Sequence, residues 1–495
     1  MALRPADIGC SHVPQRHETA RDTESTSLLA VPTSGGTMFR LNTFATLSGL
    51  VLIASSLSAQ GNSGRAQSGP ATTTRNEASD SSGNEKTTIS KYFAKNVPAT
   101  RPYDQRGVNM FETPKPARGL FSGPSLDIGA AFAQSFQSLN QSNTAAPRMV
   151  GGKDQNKLIA IGAGLPLASA NLVLNAQLAD GIVVSLENYL ASRGHTEFNV
   201  KGGYLQIDAS PLDIPVLNTL MKYTTVKVGM FENNFGDSHF RRSDAGQAIY
   251  NPFVGNYIVD PFTTEAGAEL YFRSGPAFIM GAVTSGEMRG SVATPESRGW
   301  ARYGKAGVDK QVNSDLRVRL TGSLYRADRS LNQTIYSGDR PGSRYYDVLV
   351  DSVGRDRWSG TIQPGFRNNV SAIQINPFVK FKGLEVFGSI DRGQGRAATE
   401  TEARKLRQTA ADVVYRFAND RLYVGGRYNT ASMRLQGIAN DVGANRRAFA
   451  AGWFITPLML IKAEYVDQKY VDFPTTDRRS GGKFNGLTME GVVAF

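Results

Sequence analysis

Cysteine is nearly absent from this chain: Cys10 is the only one in 495 residues. Disulfides and cysteine-bound metal centres are therefore excluded from everything downstream of it. Histidine is almost as scarce, with His195 and His239 the only two after residue 60. After residue 60 no apolar run is long enough for a transmembrane helix. No repeat at a fixed period is present, which removes solenoids and propellers. A secreted soluble protein and a membrane β-barrel remain, the second having only a weak, alternating strand signal.

The chain carries 51 glycines and a formal net charge of +12. Its earliest apolar run is internal. From Met38, Arg40 precedes the core Leu50-Val51-Leu52-Ile53-Ala54, and small residues follow to Ala59. That layout reads as a signal peptide over 38–59, which makes 1–37 an upstream extension. Residues 60–120 are rich in Gly, Ser, Thr, Asn and charge, and read as a disordered periplasmic N-terminal segment. Its last part, RPYDQRGVNMFETPKP, is left open as a segment that docks on the barrel mouth, with no periodicity to place it.

From Ser125 the pattern becomes alternating, and about sixteen strands (fourteen to eighteen) follow through 121–495. Turn signals such as Asp180-Gly181, Gly275-Pro276, Lys382-Gly383 and Thr456-Pro457 alternate with long polar connections. Short turns on one side and long loops on the other are the mark of an antiparallel outer-membrane barrel whose turns face the periplasm. Two connections break the rule. Ser192–Glu197 is short where a long one is due, and Ala209–Tyr223 is long where a short one is due, with PLDIPVLNTLMKY reading as a short helix.

The strand faces agree with a barrel in lipid. Leu316, Val318, Leu320 and Leu324 oppose Arg317, Arg319, Thr321 and Tyr325, while Met459, Ile461, Ala463 and Tyr465 oppose Lys462, Glu464 and Gln468. An apolar outside and a polar inside invert the arrangement of a water-soluble barrel. Phe272, Phe278, Phe381, Phe417, Tyr423, Trp453 and Phe454 sit beside the short turns, where an interfacial girdle is expected. The chain ends on an alternating strand at Phe495, with Val493, Met489 and Leu487 on its face. That ending resembles the signal read by the outer-membrane assembly machinery.

One connection stands apart. Residues 231–265, between the fifth and sixth strands, contain Phe240, Tyr250, Phe253, Tyr257, Ile258 and Phe262 beside the pair Arg241-Arg242. A loop with that much aromatic surface must bury it. The stretches GMFENNFGDSHFRRSDAGQAIYNPFVGNYIVDPFTTE, KAEYVDQKY and SGGKFNGLTMEGVVAF resemble porin-like outer-membrane proteins of the phosphate-selective porin group. The resemblance covers residues 100–495. It implies sixteen strands and an anion-conducting lumen lined by Lys and Arg. It also implies that 231–265 is the third external loop, folded inward to narrow the pore. The competing reading packs that loop outside as a lid or subunit contact.

His239, Phe240, Arg241, Arg242, Tyr250 and Tyr257 are accordingly the expected constriction residues. Lys227, Arg317, Arg319, Lys380, Arg416, Arg427, Lys462 and Glu464 fall on expected lumenal faces. Cations inside a low-dielectric wall attract anions; the bland alternative pairs them with the inward acids Glu187, Glu269, Glu385, Glu464 and Glu490. Asp237-Ser238-His239 invites a hydrolase reading, but adjacent residues cannot form a nucleophile–base pair in an extended chain. The basic charge is spread rather than gathered, which argues against nucleic acid. Arg241-Arg242, Arg446-Arg447 and Arg478-Arg479 are read as meeting lipopolysaccharide phosphates at the outer surface. The expectation is thus an outer-membrane porin passing small hydrophilic, anionic solutes. It has no cofactor, metal or catalytic residue. Its partners are membrane lipid, lipopolysaccharide and the assembly machinery, with a homotrimer left open. The alternative is a non-conducting barrel with a structural, adhesive or lipase-like role.

Overall fold

Alternating strands whose neighbours in sequence are also neighbours in space can satisfy every backbone group only by closing on themselves. The computed structural model describes residues 97, 100–116, 121–192, 199–288, 292, 294–338, 342–351 and 360–495. The upstream extension, the signal peptide, Cys10 and His195 lie outside the described residues. Contacts divide the chain into Met1–Gly83 and Asn84–Phe495, and everything described belongs to the second unit.

The order is β1 (Ser125–Ser142), a small hairpin of β2 (Met149–Val150) and β3 (Lys153–Asp154), then β4 (Gly164–Ala179), β5 (Ile182–Ala191) and β6 (Asn199–Ile207). The helix α1 (Pro215–Leu220) leads to β7 (Thr224–Glu232), β8 (Thr264–Ser274), β9 (Ala277–Thr284), β10 (Ala301–Gln311) and β11 (Leu316–Ala327). β12 (Asn369–Phe381), β13 (Leu384–Arg396), β14 (Arg404–Phe417), β15 (Leu422–Arg434), β16 (Asp441–Thr456), β17 (Met459–Val471) and β18 (Lys483–Ala494) complete it. All except β2 and β3 form one closed antiparallel barrel of sixteen strands. β1 and β18 pair from Ala131↔Ala494 to Ser142↔Lys483, and Phe495 adds hydrogen bonds in both directions with Ala130, of 2.9 and 2.8 Å. The last residue thus completes the seam, and no edge is left open to lipid.

β14 shows how the sequence builds the wall. Its burial alternates without a break. Arg404, Gln408, Asp412 and Arg416 turn inward, while Thr409, Ala411, Val413, Tyr415 and Phe417 turn outward. The outward positions of the other strands include Leu320, Leu324, Ile373, Ile375, Val386 and Ile461, all solvent-exposed in the isolated chain. Apolar residues exposed on every side of a barrel with a polar inside face lipid. Gly181 and Lys382 turn their hairpins with φ of +68° and +51°, conformations that tight two-residue connections demand.

β4 begins at Gly164, and Leu158, upstream of it, bridges to Asp351. The aromatic girdle is smaller than expected. Phe272, Phe381, Phe417 and Trp453 do face outward, but Tyr423 and Phe454 are buried inside, and Phe278 lies under the Arg319 guanidinium at 5.3 Å. Proximity to a turn had assigned these three to the interface, whereas strand parity sends them inward.

Ala411→Arg on the lipid face should cost about 2–4 kcal/mol. Denaturant unfolding in lipid vesicles measures it, and an unmoved midpoint would refute the lipid-facing assignment.

Candidate functional site: the lumen and its inserts

The lumenal wall is polar, so anything folded into it must satisfy both its own backbone and the wall's side chains. The connection between β7 and β8 does this. Residues 233–263 are buried almost throughout and cross the inside of the barrel. Gly236 adopts φ +73° with the Gln374 amide where a Cβ would stand, and at Gly246 a Cβ would meet the Ala131 carbonyl of the opposite wall.

Its first anchor is Asp237, which has 0% exposure. Its backbone N–H donates to Asn376 Oδ1 at 2.8 Å. Its carboxylate accepts from Arg319 Nε and Thr321 Oγ1, both at 2.8 Å, and pairs with Lys305 at 2.6 Å. Burial alone would raise this carboxyl, but the Lys305 and Arg319 charges outweigh it and hold the group below the usual carboxylate range.

Farther along, wall side chains bind the insert's backbone directly. Asn171 Oδ1 accepts from the Gly246 N–H at 2.5 Å, and Asn429 Oδ1 accepts from the Ile258 N–H at 2.7 Å. Gln408 meets both the N–H and the carbonyl of Val259, at 2.9 and 2.8 Å. Glu464 accepts from the Val254 N–H at 2.8 Å. Lys462 donates to the carbonyls of Ala248, Asn251 and Phe253 at 2.8–2.9 Å and pairs with Glu490 at 3.0 Å.

The remaining expected residues are similarly engaged. His239 holds Glu232 at 2.5 Å through Nδ1 and Asn234 at 3.1 Å through Nε2. Arg241 reaches Asn109 and lies 3.5 Å from Glu385. Arg242 binds Asp260 at 2.6 Å and covers the Phe262 ring at 3.9 Å. The Tyr250 hydroxyl donates to the Pro102 carbonyl at 2.6 Å, and that of Tyr257 to Asp412 at 3.3 Å. Arg317 pairs with Asp309 at 2.7 Å, Arg416 with Glu385 at 2.7 Å and Arg427 with Asp412 at 2.7 Å. Lys380 lies 3.2 Å from Asp420, and Lys227 lies 3.7 Å from Glu269 and 4.1 Å from the Tyr204 ring. Arg446, expected at the outer surface, is 1% exposed and reaches inward to the Asn256 and Gly360 carbonyls. Its place on β16 opposite Gln468 of β17 gives it lumenal parity.

Two further segments enter the lumen. Arg344, between β11 and β12, joins Glu490 and Ser169, while Tyr346 joins Glu464. From the short-turn side comes 100–116, which sequence composition had merged with a disordered segment. Phe111 packs edge-on to Phe240 and Phe378, at 5.8 and 5.3 Å. Glu112 bridges Lys305 and Arg319 at 2.7 and 2.6 Å, and those two cations hold its carboxyl far below its usual range despite burial. Arg101 donates to the Phe240 carbonyl at 3.0 Å and stacks 3.5 Å from the Tyr250 ring. The composition of 60–120 averages over this stretch, and its anchors Arg101, Tyr103, Phe111 and Glu112 have no spacing to announce them.

A cavity of about 250 Å³ lies between the two inserts and the wall of β5–β8. It runs from Asp208, Thr225 and Arg273 at the short-turn end to Lys201, Glu232 and Thr264 at the long-loop end. Its charged lining is Arg101, Lys201, Lys227, Arg242 and Arg273 against Glu112, Glu187, Asp208, Glu232 and Asp244, five of each sign. Lys201 and Asp244 form an ion pair across it. Lys201, Arg101 and Glu112 were not anticipated. Lys201 was detectable from strand alternation, the other two were not. Among the described residues no cluster of His, Cys, Asp and Glu could hold a metal ion.

These features define a closed transmembrane β-barrel of the bacterial outer-membrane type, its lumen narrowed by inserts from both ends. No protein-family model matches the chain, and no curated protein sequence does. Among solved structures it is similar to an anion-selective porin from Comamonas acidovorans, at 12% identity over 75% of this chain and 100% of that one, TM-score 0.47. It is also similar to the outer membrane protein OmpT of Vibrio cholerae, at 9% identity over 76% of this chain and 100% of that one, TM-score 0.45. A third is the outer membrane channel DcaP of Acinetobacter baumannii, at 11% identity over 76% of this chain and 98% of that one, TM-score 0.43. No residue role is carried across from them.

Asp237→Asn should lower the opening free energy of 233–263 by about 3 kcal/mol, read as lost amide protection in hydrogen exchange. Because the Asp237 and Glu112 carboxyls are depressed, their contribution is present above the ordinary carboxylate range and is lost only as pH falls through the lowered values. Protection of the insert should therefore survive at pH ~4. Loss there, or an unchanged Asp237→Asn profile, would refute the anchor.

Proposed function

We propose that the protein is an outer-membrane porin through which small hydrophilic solutes diffuse passively, along the cavity between the β5–β8 wall and the two inserts. The observation that carries this reading is that the cavity's polar lining extends from the short-turn end to the long-loop end of the same strands. At about 250 Å³ it is smaller than the pockets of about 300–1,000 Å³ that hold drug-sized ligands, which favours small solutes.

The constriction in this reading is shared. His239, Phe240, Arg242 and Tyr250 of the external insert line the cavity, but so do Arg101, Phe111 and Glu112 of the N-terminal insert. Arg241 and Tyr257 act behind it as anchors. The lining's equal numbers of cations and carboxylates argue for weak charge selection, although the chain as a whole is basic. Anion preference would need an excess of cations that these ten residues do not provide. The ion pair of Lys201 with Asp244 favours a second reading, a barrel that is shut at rest.

Planar-bilayer recording separates the two. Wild type should give small conductance steps with a reversal potential near zero in a salt gradient. Deleting 97–116 should enlarge the steps several-fold, and Asp244→Asn should enlarge them modestly. Silence from wild type together with steps from the deletion would replace the open porin with the shut barrel. Silence from all three would remove conduction altogether, and a strongly anion-selective potential would overturn the balanced-lining reading.

A further inference from the structure

The outer wall has a feature that the lumen does not explain. On β10, β11, β13 and β14 the outward residues change from apolar to basic near the long-loop end, with Ser371 between them on β12. Arg302 on β10 stands directly across from Arg326 on β11. Arg392 on β13 stands directly across from Arg407 on β14, and Lys405 lies one outward position beyond Arg407. Like charges facing each other across strands destabilise a sheet. Only Arg326 has a carboxylate, Asp328 at 2.9 Å. Among the described residues Arg302, Lys405 and Arg407 form no ion pair, and Arg392 donates to the Asp391 carbonyl at 2.8 Å rather than to a carboxylate.

Leu324, one outward position below Arg326, and Ile373, in register with Arg392, help to line a groove of about 630 Å³ that opens to the outside. The patch ends sharply: Arg302 faces Val283 on β9, and Arg407 faces Ser432 on β15. On β15–β16 the outward Arg434 holds Asp441 at 2.8 Å. The β10–β14 sector gathers five outward cations around one groove, apart from the smaller pair Lys469 and Lys483 that stand across from each other on β17–β18.

We propose that this sector is a binding site for a phosphorylated glycolipid of the outer leaflet, a lipid A-type headgroup bearing two phosphates. Its phosphates meet the arginine pairs and its acyl chains lie over Leu324 and Ile373. Charge complementarity selects an anion, since guanidinium pairs bind phosphate through charge-assisted hydrogen bonds. The apolar floor selects an anion that carries hydrocarbon. Five strands at ~4.8 Å spacing spread the cations over ~19 Å, more than a single phosphate can reach. The long-loop side selects the external leaflet. This site is independent of whether the barrel conducts.

The test is native mass spectrometry of the purified barrel in detergent with added diphosphoryl lipid A. Wild type should retain it, should lose it when both phosphates are removed, and should not exchange it for phosphatidylglycerol or inorganic phosphate. R302Q/R392Q/R407Q should bind it about a hundredfold more weakly. K469Q/K483Q, at the rim on β17–β18, should bind as wild type does. Equal retention by the triple variant would overturn the proposal, as would equal retention of the phosphate-free lipid. Displacement by inorganic phosphate would reduce the patch to a simple anion site and also overturn it. If the triple variant lacks the heat-modifiable mobility of a folded barrel, the wild-type comparison of phosphorylated with phosphate-free lipid decides alone.

Discussion

Every backbone N–H and C=O at membrane depth must find a partner within the protein, because lipid supplies none. The wall meets this demand by closing, with Phe495 sealed against Ala130. The inserts cannot meet it with a ladder, because they are irregular. They rely on side chains of the wall. Lys462 holds three insert carbonyls, Gln408 takes both groups of Val259, and Asn171, Asn429 and Glu464 accept insert N–H groups. The polarity of the lumen is therefore first a structural necessity, and the cavity along β5–β8 is the part proposed to admit a solute.

The same economy applies to charge. Taking Asp237, Glu112, Lys305 and Arg319 out of water is costly one at a time, and they are tolerated as one mutually neutralising group. That group belongs to three pieces of chain: the external insert, the N-terminal insert and the β10–β11 wall. Phe111 and Phe240 meet beside it, so the two inserts support each other rather than only the wall. The outer face shows the opposite pattern. On β10–β14 Arg302, Lys405 and Arg407 form no ion pair among the described residues, which points to a partner outside the chain.

Much of the architecture was legible in residue order. The strand faces of β11 and β17, the hairpins at Asp180-Gly181 and Lys382-Gly383, and the helix after Pro215 follow from period two and from turn chemistry. Lumenal parity of Arg317, Arg319, Arg427 and Lys462 came from the same rule. Legibility failed where parity was replaced by proximity, as for Tyr423 and Phe454, or by surface intuition, as for Arg446. For 100–116 it reached no further than docking on the barrel mouth, because the segment has the composition of a solvated linker and the contacts of a core.

By itself, then, the sequence determined that the chain crosses lipid as an antiparallel barrel, because alternation and turn chemistry are local and survive without knowledge of neighbours. Only the tertiary structure decided what the lumen contains. Whether Lys462 is a free cation or a cap on three carbonyls, and whether Asp237 is a catalytic-looking acid or an anchor, depends on residues brought together from distant parts of the chain. Electrostatic partners are set by distance in space, and no local pattern encodes that distance.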